Sequence, residues 1–108
     1  MHGIDAAIHT RKGILPVGSD DYENPDAFAL FLEFLATEQA EGAVVLRTID
    51  PYGWTIFTPY QMDRLILEVD QLQGVISGEL LKVASDLKEA FLQCKENPDV
   101  SYLRFEGD

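Results

Sequence analysis

Few residues in this 108-residue chain could act as a nucleophile or a general base. Cys94 is the single cysteine, and His2 and His9 are the two histidines that could take its proton. A cysteine nucleophile needs a base within hydrogen-bond reach and surroundings that favour the thiolate. Cys94 instead closes the series Leu80, Ala84, Leu87, Phe91, Cys94, whose spacings of three and four mark the apolar stripe of a helix. A free cysteine there behaves as a small hydrophobe, and this structural role is the favoured one. A lone cysteine also excludes an internal disulfide and suits a reducing compartment.

Metal ligation has little more support. His2 and His9 lack helical spacing, and neither C-x-x-C nor H-E-x-x-H occurs. An acidic patch of Asp20, Asp21, Glu23 and Asp26 offers hard oxygen ligands of the kind calcium takes, but it does not match an EF-hand loop. A solvated acidic loop is the favoured reading, and no metal or cofactor is expected. The glycines form neither G-x-G-x-x-G nor a P-loop, which removes the common nucleotide-binding enzymes.

One group of residues has the composition of a binding site: Asp50, Tyr52, Trp54 and Tyr60, with Gln61 beside them. Trp and Tyr are the residues most enriched at binding hot spots. The favoured alternative is structural, with Tyr52 folded back over the helices and Trp54 filling the core.

The elements that would position these residues can be read in order. Short apolar runs at 4–8 and 14–17 suggest two strands. Asn24, Pro25 and Asp26 suit the start of a helix that runs to about Gln39, with Gly42 ending it. Its apolar residues cover most of its circumference, which predicts heavy burial. The β-branched run 43–49, the turn Asp50-Pro51-Tyr52-Gly53 and the segment 54–57 read as a hairpin over about 43–58. Thr58 and Gln61 form a capping box with Pro59 at the first helical position, and Met62, Leu65, Ile66, Val69 and Leu72 continue that helix to Gly74. Ser77 opens a third helix that stops before Asn97-Pro98. A last strand at 100–105 alternates Tyr102 and Arg104 against Leu103 and Phe105. The expected fold is a single α+β domain over 1–108. It has a small antiparallel or mixed sheet with a central hairpin and three helices packed on it.

Nineteen acidic against eight basic residues give a net charge of −11. That sign argues against nucleic acid and against acidic membrane surfaces. No apolar run reaches membrane-spanning length, and the first residues lack a signal-peptide pattern, so a cytoplasmic location is expected. Between Lys12 and Arg47 there is no basic residue, while Glu33, Glu38 and Glu41 join the acidic patch. Solubility is the simplest account of this charge. A surface complementary to a basic protein is the sharper one.

The run Leu46-Arg47-Thr48-Ile49-Asp50-Pro51-Tyr52-Gly53, then Thr55-Ile56-Phe57 and Gln61-Met62, resembles a family of small bacterial proteins. Their segment reads approximately L-R-F-I-D-P-Y-G-D-T-V-F-N-x-x-Q-M, and they tend to end in a strand like Tyr102–Asp108. The family is of the mobile-cassette or accessory-gene type, with no activity attached to it. Trp54 departs from it by replacing the usual acid, and Thr58-Pro59 by replacing the usual Asn. Small acidic proteins of such distribution are often immunity proteins, an analogy of size and charge rather than of motif.

The residues therefore favour a non-enzymatic protein-interaction module with a basic partner, with an immunity-like inhibitor as its specific form. The alternative is a small-molecule-binding domain or minor enzyme with an aromatic pocket near the hairpin. Homo-oligomerisation through an edge strand or the first helix is compatible with either.

Overall fold

Four strands and three helices form along residues 4–107, the part of the chain that the computed structural model describes. His2 lies outside it. Strands β1 (Asp5–Thr10) and β2 (Gly13–Val17) make an N-terminal hairpin, followed by β3 (Trp54–Phe57) and β4 (Val100–Glu106). All pairings are antiparallel, in the order β2-β1-β4-β3. Helices α1 (Ala27–Leu35), α2 (Met62–Leu72) and α3 (Gly78–Glu96) lie against the face that carries Ala6, Ile8, Phe57, Leu103 and Phe105. The α+β class, the antiparallel sheet and the three helices agree with the sequence pattern.

The central hairpin does not. Residues 43–49 are wound into helical turns, with a 3-10 turn at Leu46–Thr48, and β3 pairs only with β4. Two forces override the β-branched composition. First, the backbone donors of this segment are used locally: Arg47 N–H donates to Ala43 O at 2.9 Å, Thr48 to Val45 O at 3.0 Å and Ile49 to Leu46 O at 3.2 Å. Second, the carboxylate of Glu68 on α2 accepts the N–H groups of Val45 and Leu46 at 2.9–3.1 Å. Ala43, Leu46 and Ile49 are buried while Val44 is exposed, a spacing of three that suits a helical turn. The Asp50–Gly53 turn itself does form, with Asp50 Oδ1 accepting Tyr52 N–H at 2.8 Å. It joins a helical segment to a strand instead of joining two strands.

α1 ends earlier than its apolar residues suggest. Thr37 caps it, donating both its N–H (3.0 Å) and its hydroxyl (2.7 Å) to Phe34 O. The guanidinium of Arg47 then takes the carbonyls of Leu35 (2.7 Å) and Thr37 (2.6 Å). These are the orphan acceptors and the negative dipole end that a helix C-terminus presents. Only Ala27, Phe31 and Leu35 of α1 are fully buried, so burial is narrower than the sequence suggests. At its start, Asn24 Oδ1 accepts Asp26 N–H at 2.8 Å, and the first helical residue is Ala27. Asn24 thus organises the turn just before the cap.

The capping box before α2 is present: Gln61 Oε1 accepts Thr58 N–H at 2.8 Å. α3 buries Val83, Ala84, Leu87, Ala90, Phe91 and Cys94 along its stripe. An edge-to-face series of rings, Tyr22–Phe28–Phe105–Phe57, ties the acidic loop, α1 and the sheet together at centroid distances of 5.9–6.4 Å. No helix of the described residues is long and apolar enough to cross a membrane.

Candidate interaction surface

Alternation along the strands decides where the aromatic residues go. Phe57 and Thr55 point to the helices, so Trp54 and Ile56 must point away. Tyr52 is 81% exposed, Trp54 64%, Ile56 50% and Tyr60 97%. The reading that buried Trp54 in the core and folded Tyr52 over the helices is therefore corrected: Phe57 takes the core position. Tyr52 and Tyr60 flank β3 in sequence, one on each side.

The sheet face opposite the helices has no covering layer among the described residues. Register places Trp54, Glu106 and Asp5 in one row, and Ile56, Arg104, Ala7 and Pro16 in the next. Tyr102, His9 and Ile14 form the third. The Arg104 guanidinium lies over the Trp54 ring at 4.4 Å and pairs with Glu106 at 3.4 Å. His9 stacks on Tyr102 at 4.6 Å, and its Nε2 is buried with no hydrogen-bond partner. His9 thus lies on the side of the sheet away from α3, which holds Cys94 in the core, so the two do not meet. Burial pushes the Cys94 thiol up to about 11, which keeps it protonated and inert near neutrality.

The acidic loop is stitched to α3. Asp21 forms an ion pair with Lys82 at 2.7 Å, and the hydrogen bond and charge of Lys82 hold its carboxyl below the usual range. Glu79 accepts the Asn24 N–H at 3.0 Å, and Asp86 accepts the hydroxyls of Ser19 (2.7 Å) and Tyr22. Burial first, and the bond to Asp86 second, raise the Tyr22 pKa. Asp20 and Glu23 remain exposed to solvent and Asp26 half-buried. Among the described residues, no three His, Cys, Asp or Glu side chains gather as a ligand set for a metal ion.

Every lysine and arginine is already engaged within the chain. Arg11 and Lys12 share Asp99, while Arg64 holds Glu68, Lys82 holds Asp21 and Lys88 holds Asp70. Lys95 holds Asp63, Arg104 holds Glu106, and Arg47 binds carbonyl oxygens. The uncompensated charge is thus carboxylate, and much of it comes from the base-free stretch between Lys12 and Arg47.

An apolar cleft of about 340 Å³ opens between α1 and the 46–51 segment, lined by Leu32, Leu35, Leu46, Arg47, Ile49 and Pro51. It lies beside the Asp50 turn, but Tyr52, Trp54 and Tyr60 do not line it. Sequence reasoning missed two partnerships. Glu68, 1% exposed, anchors residues 45 and 46, and its signal was an acid set between Leu65, Val69 and Leu72 on the buried stripe. Gly107 donates its N–H to Gly53 O at 2.7 Å, joining the Asp50 turn to the end of β4. What this surface gathers is exposed aromatic area, strand-edge backbone and negative charge, the materials of macromolecular recognition. No family model, curated protein or solved structure matches this chain.

Proposed function

We propose that this protein is a non-enzymatic interaction module that recognises a basic protein partner. The observation that carries this reading is the engagement of all eight basic side chains within the chain, seven with carboxylates and Arg47 with carbonyl oxygens, which leaves a surface of unpaired carboxylates. Exposed Tyr52, Trp54 and Tyr60 add anchors of the kind that dominate binding energy. The resemblance of residues 46–62 to small accessory-gene proteins supports an immunity-like role, in which a cytoplasmic acidic protein neutralises a basic one. Long-range attraction would then speed encounter, and the aromatic residues would slow release.

The test is capture of partners on the immobilised chain at rising salt, comparing wild type with the triple variant Asp20→Asn, Glu23→Gln, Asp26→Asn. Screening shortens from about 10 Å at 0.1 M to about 3 Å at 1 M, so charge-led binding fades across that range. The expected result is a basic protein retained at low salt, released at high salt and held less well by the variant. Retention that ignores both salt and variant would sink the reading.

The apolar cleft beside Arg47 supports the second reading, a small-molecule site. Its volume falls at the lower end of the range for ligand pockets. A thermal-shift screen separates the two: stabilisation by a metabolite that Leu32→Trp abolishes would favour the cleft.

A further inference from the structure

The two edges of the sheet are not equivalent. β2 carries Pro16, which has no N–H to offer, and proline is a common way of blunting an edge. β3 is the opposite edge, and its four residues are Trp54, Thr55, Ile56 and Phe57. Gly53 O faces β4, where it accepts Gly107 N–H. Backbone groups alternate sides along an antiparallel strand, so Thr55 and Phe57 also face β4. The N–H and C=O groups of Trp54 and Ile56 therefore point outward along the free edge, with no backbone partner among the described residues.

Charge says what could cover this edge. Residues 51–62 contain no Asp, Glu, Lys or Arg, the longest such run in the chain. On the open face beside it, Arg104 and Glu106 neutralise each other at 3.4 Å. In a molecule of net charge −11, an uncharged run of this length lets a second equally acidic copy approach with little repulsion, Asp5 being the one carboxylate of the Trp54 row without an ion-pair partner among the described residues. The run itself offers no carboxylate to a basic partner.

Shape supports the same occupant. A two-fold axis through Thr55 sets Trp54 of one copy opposite Ile56 of the other and satisfies about four outward backbone groups per copy. Trp54 and Ile56 lie on the same face, so the pairing makes two aromatic–β-branched cross-strand pairs, a favourable combination. At 150–250 Å² per ring, the exposed parts of Tyr52, Trp54 and Tyr60 amount to about 400–500 Å² per copy. With all of that area covered, together with Ile56 and the strand backbone, two copies would reach the ~1,000 Å² that a specific interface needs.

We propose that the protein self-associates as a symmetric dimer by antiparallel pairing of β3 with β3 of a second copy, forming one continuous sheet across the two-fold. This inference does not depend on the acidic-surface reading.

The experiment is sedimentation of the full chain across micromolar to millimolar concentrations, alongside emission from Trp54, the only tryptophan. A mass moving from one to two chains, with a blue shift of Trp54 emission over the same range, is expected. Ile56→Lys, a change at an exposed position, should weaken association at least about tenfold while leaving the melting temperature of the dilute single chain unchanged. Val44→Lys, exposed on a segment outside the sheet, should leave it intact. Rising salt should strengthen the dimer by screening two acidic copies, whereas it weakens capture of a basic partner. A single-chain mass at millimolar concentration would overturn the proposal, as would a dimer that Ile56→Lys leaves untouched. The Asp20, Glu23, Asp26 triple variant should still dimerise, so failure of one reading is distinguishable from failure of the other.

Discussion

The carboxylate of Glu68 on α2 accepts the backbone N–H of Leu46 at 2.9 Å, across 22 residues of sequence. It also accepts Val45 N–H and pairs with Arg64 Nε at 2.8 Å, so a buried charge meets several donors in one place. This one side chain holds residues 43–49 in helical turns and aims the Asp50 turn at β3.

Glu68→Ala should therefore destabilise the protein by about 2–4 kcal/mol, because it leaves the N–H groups of Val45 and Leu46 without an acceptor, while half-exposed Arg64 can return to water. Glu68→Gln keeps an acceptor for Leu46 and should lose less, about 1–3 kcal/mol. Urea unfolding of both variants checks the order. Equal losses would mean that charge contributes nothing at this position.

Gly107 sits against the Asp50 turn so tightly that an added Cβ would lie 2.2 Å from Pro51 O. Gly107→Ala must push the end of β4 away from the turn, at a cost of about 1–3 kcal/mol. The amide exchange of residue 107 and of β3 should rise with it. Unchanged protection there would show that the junction relaxes freely.

Alkaline pH should lower the stability of the protein through two groups in turn. The Cys94 thiol stands at about 11 because of burial, against 9.0 for a free thiol, so the unfolded chain gives up this proton first. Stability then falls as pH rises from about 9 to about 11, by roughly 2–3 kcal/mol in all. Tyr22, raised by burial and by its bond to Asp86, adds a further loss above about pH 10 for the same reason. Unfolding midpoints between neutral and alkaline pH should slope less in Cys94→Ala at the early stage and less in Tyr22→Phe at the later one.

The exposed rings should matter little to folding. Tyr52→Ala and Tyr60→Ala are expected to change stability by less than about 0.5 kcal/mol, while Phe57→Ala, at the core side of β3, should cost about 3–5 kcal/mol. Thermal melts separate the two groups. If Tyr60→Ala behaved like Phe57→Ala, its role would be packing rather than recognition.

The elements whose patterns answer to local physics were legible in the residues. The T-x-x-Q box and its apolar stripe start α2, the Leu80–Cys94 stripe defines α3, and the Leu103 and Phe105 alternation sets the buried face of β4. Each depends on neighbours a few positions away, where propensity and period act. The charge imbalance and the base-free stretch were also plain, because they are sums over the chain. Residues 43–49 were misleading because β-branched content is a weak preference that a distant carboxylate outweighs. The period of three in Ala43, Leu46 and Ile49 was the signal that favoured helical turns.

Tertiary structure alone decided the rest. A four-residue strand such as Trp54–Phe57 shows its alternation but not which face will be covered, since that depends on where the helices pack. The pairing of β1 with β4, close to the two ends of the described chain, fills the middle of the sheet and leaves β2 and β3 as edges. Only that order exposes Trp54 and Ile56 on a free edge, and only the fold brings Lys82 to Asp21 and Arg47 to the end of α1. Long-range pairing of this kind is written in no short window of sequence, because its energy appears only when distant segments meet.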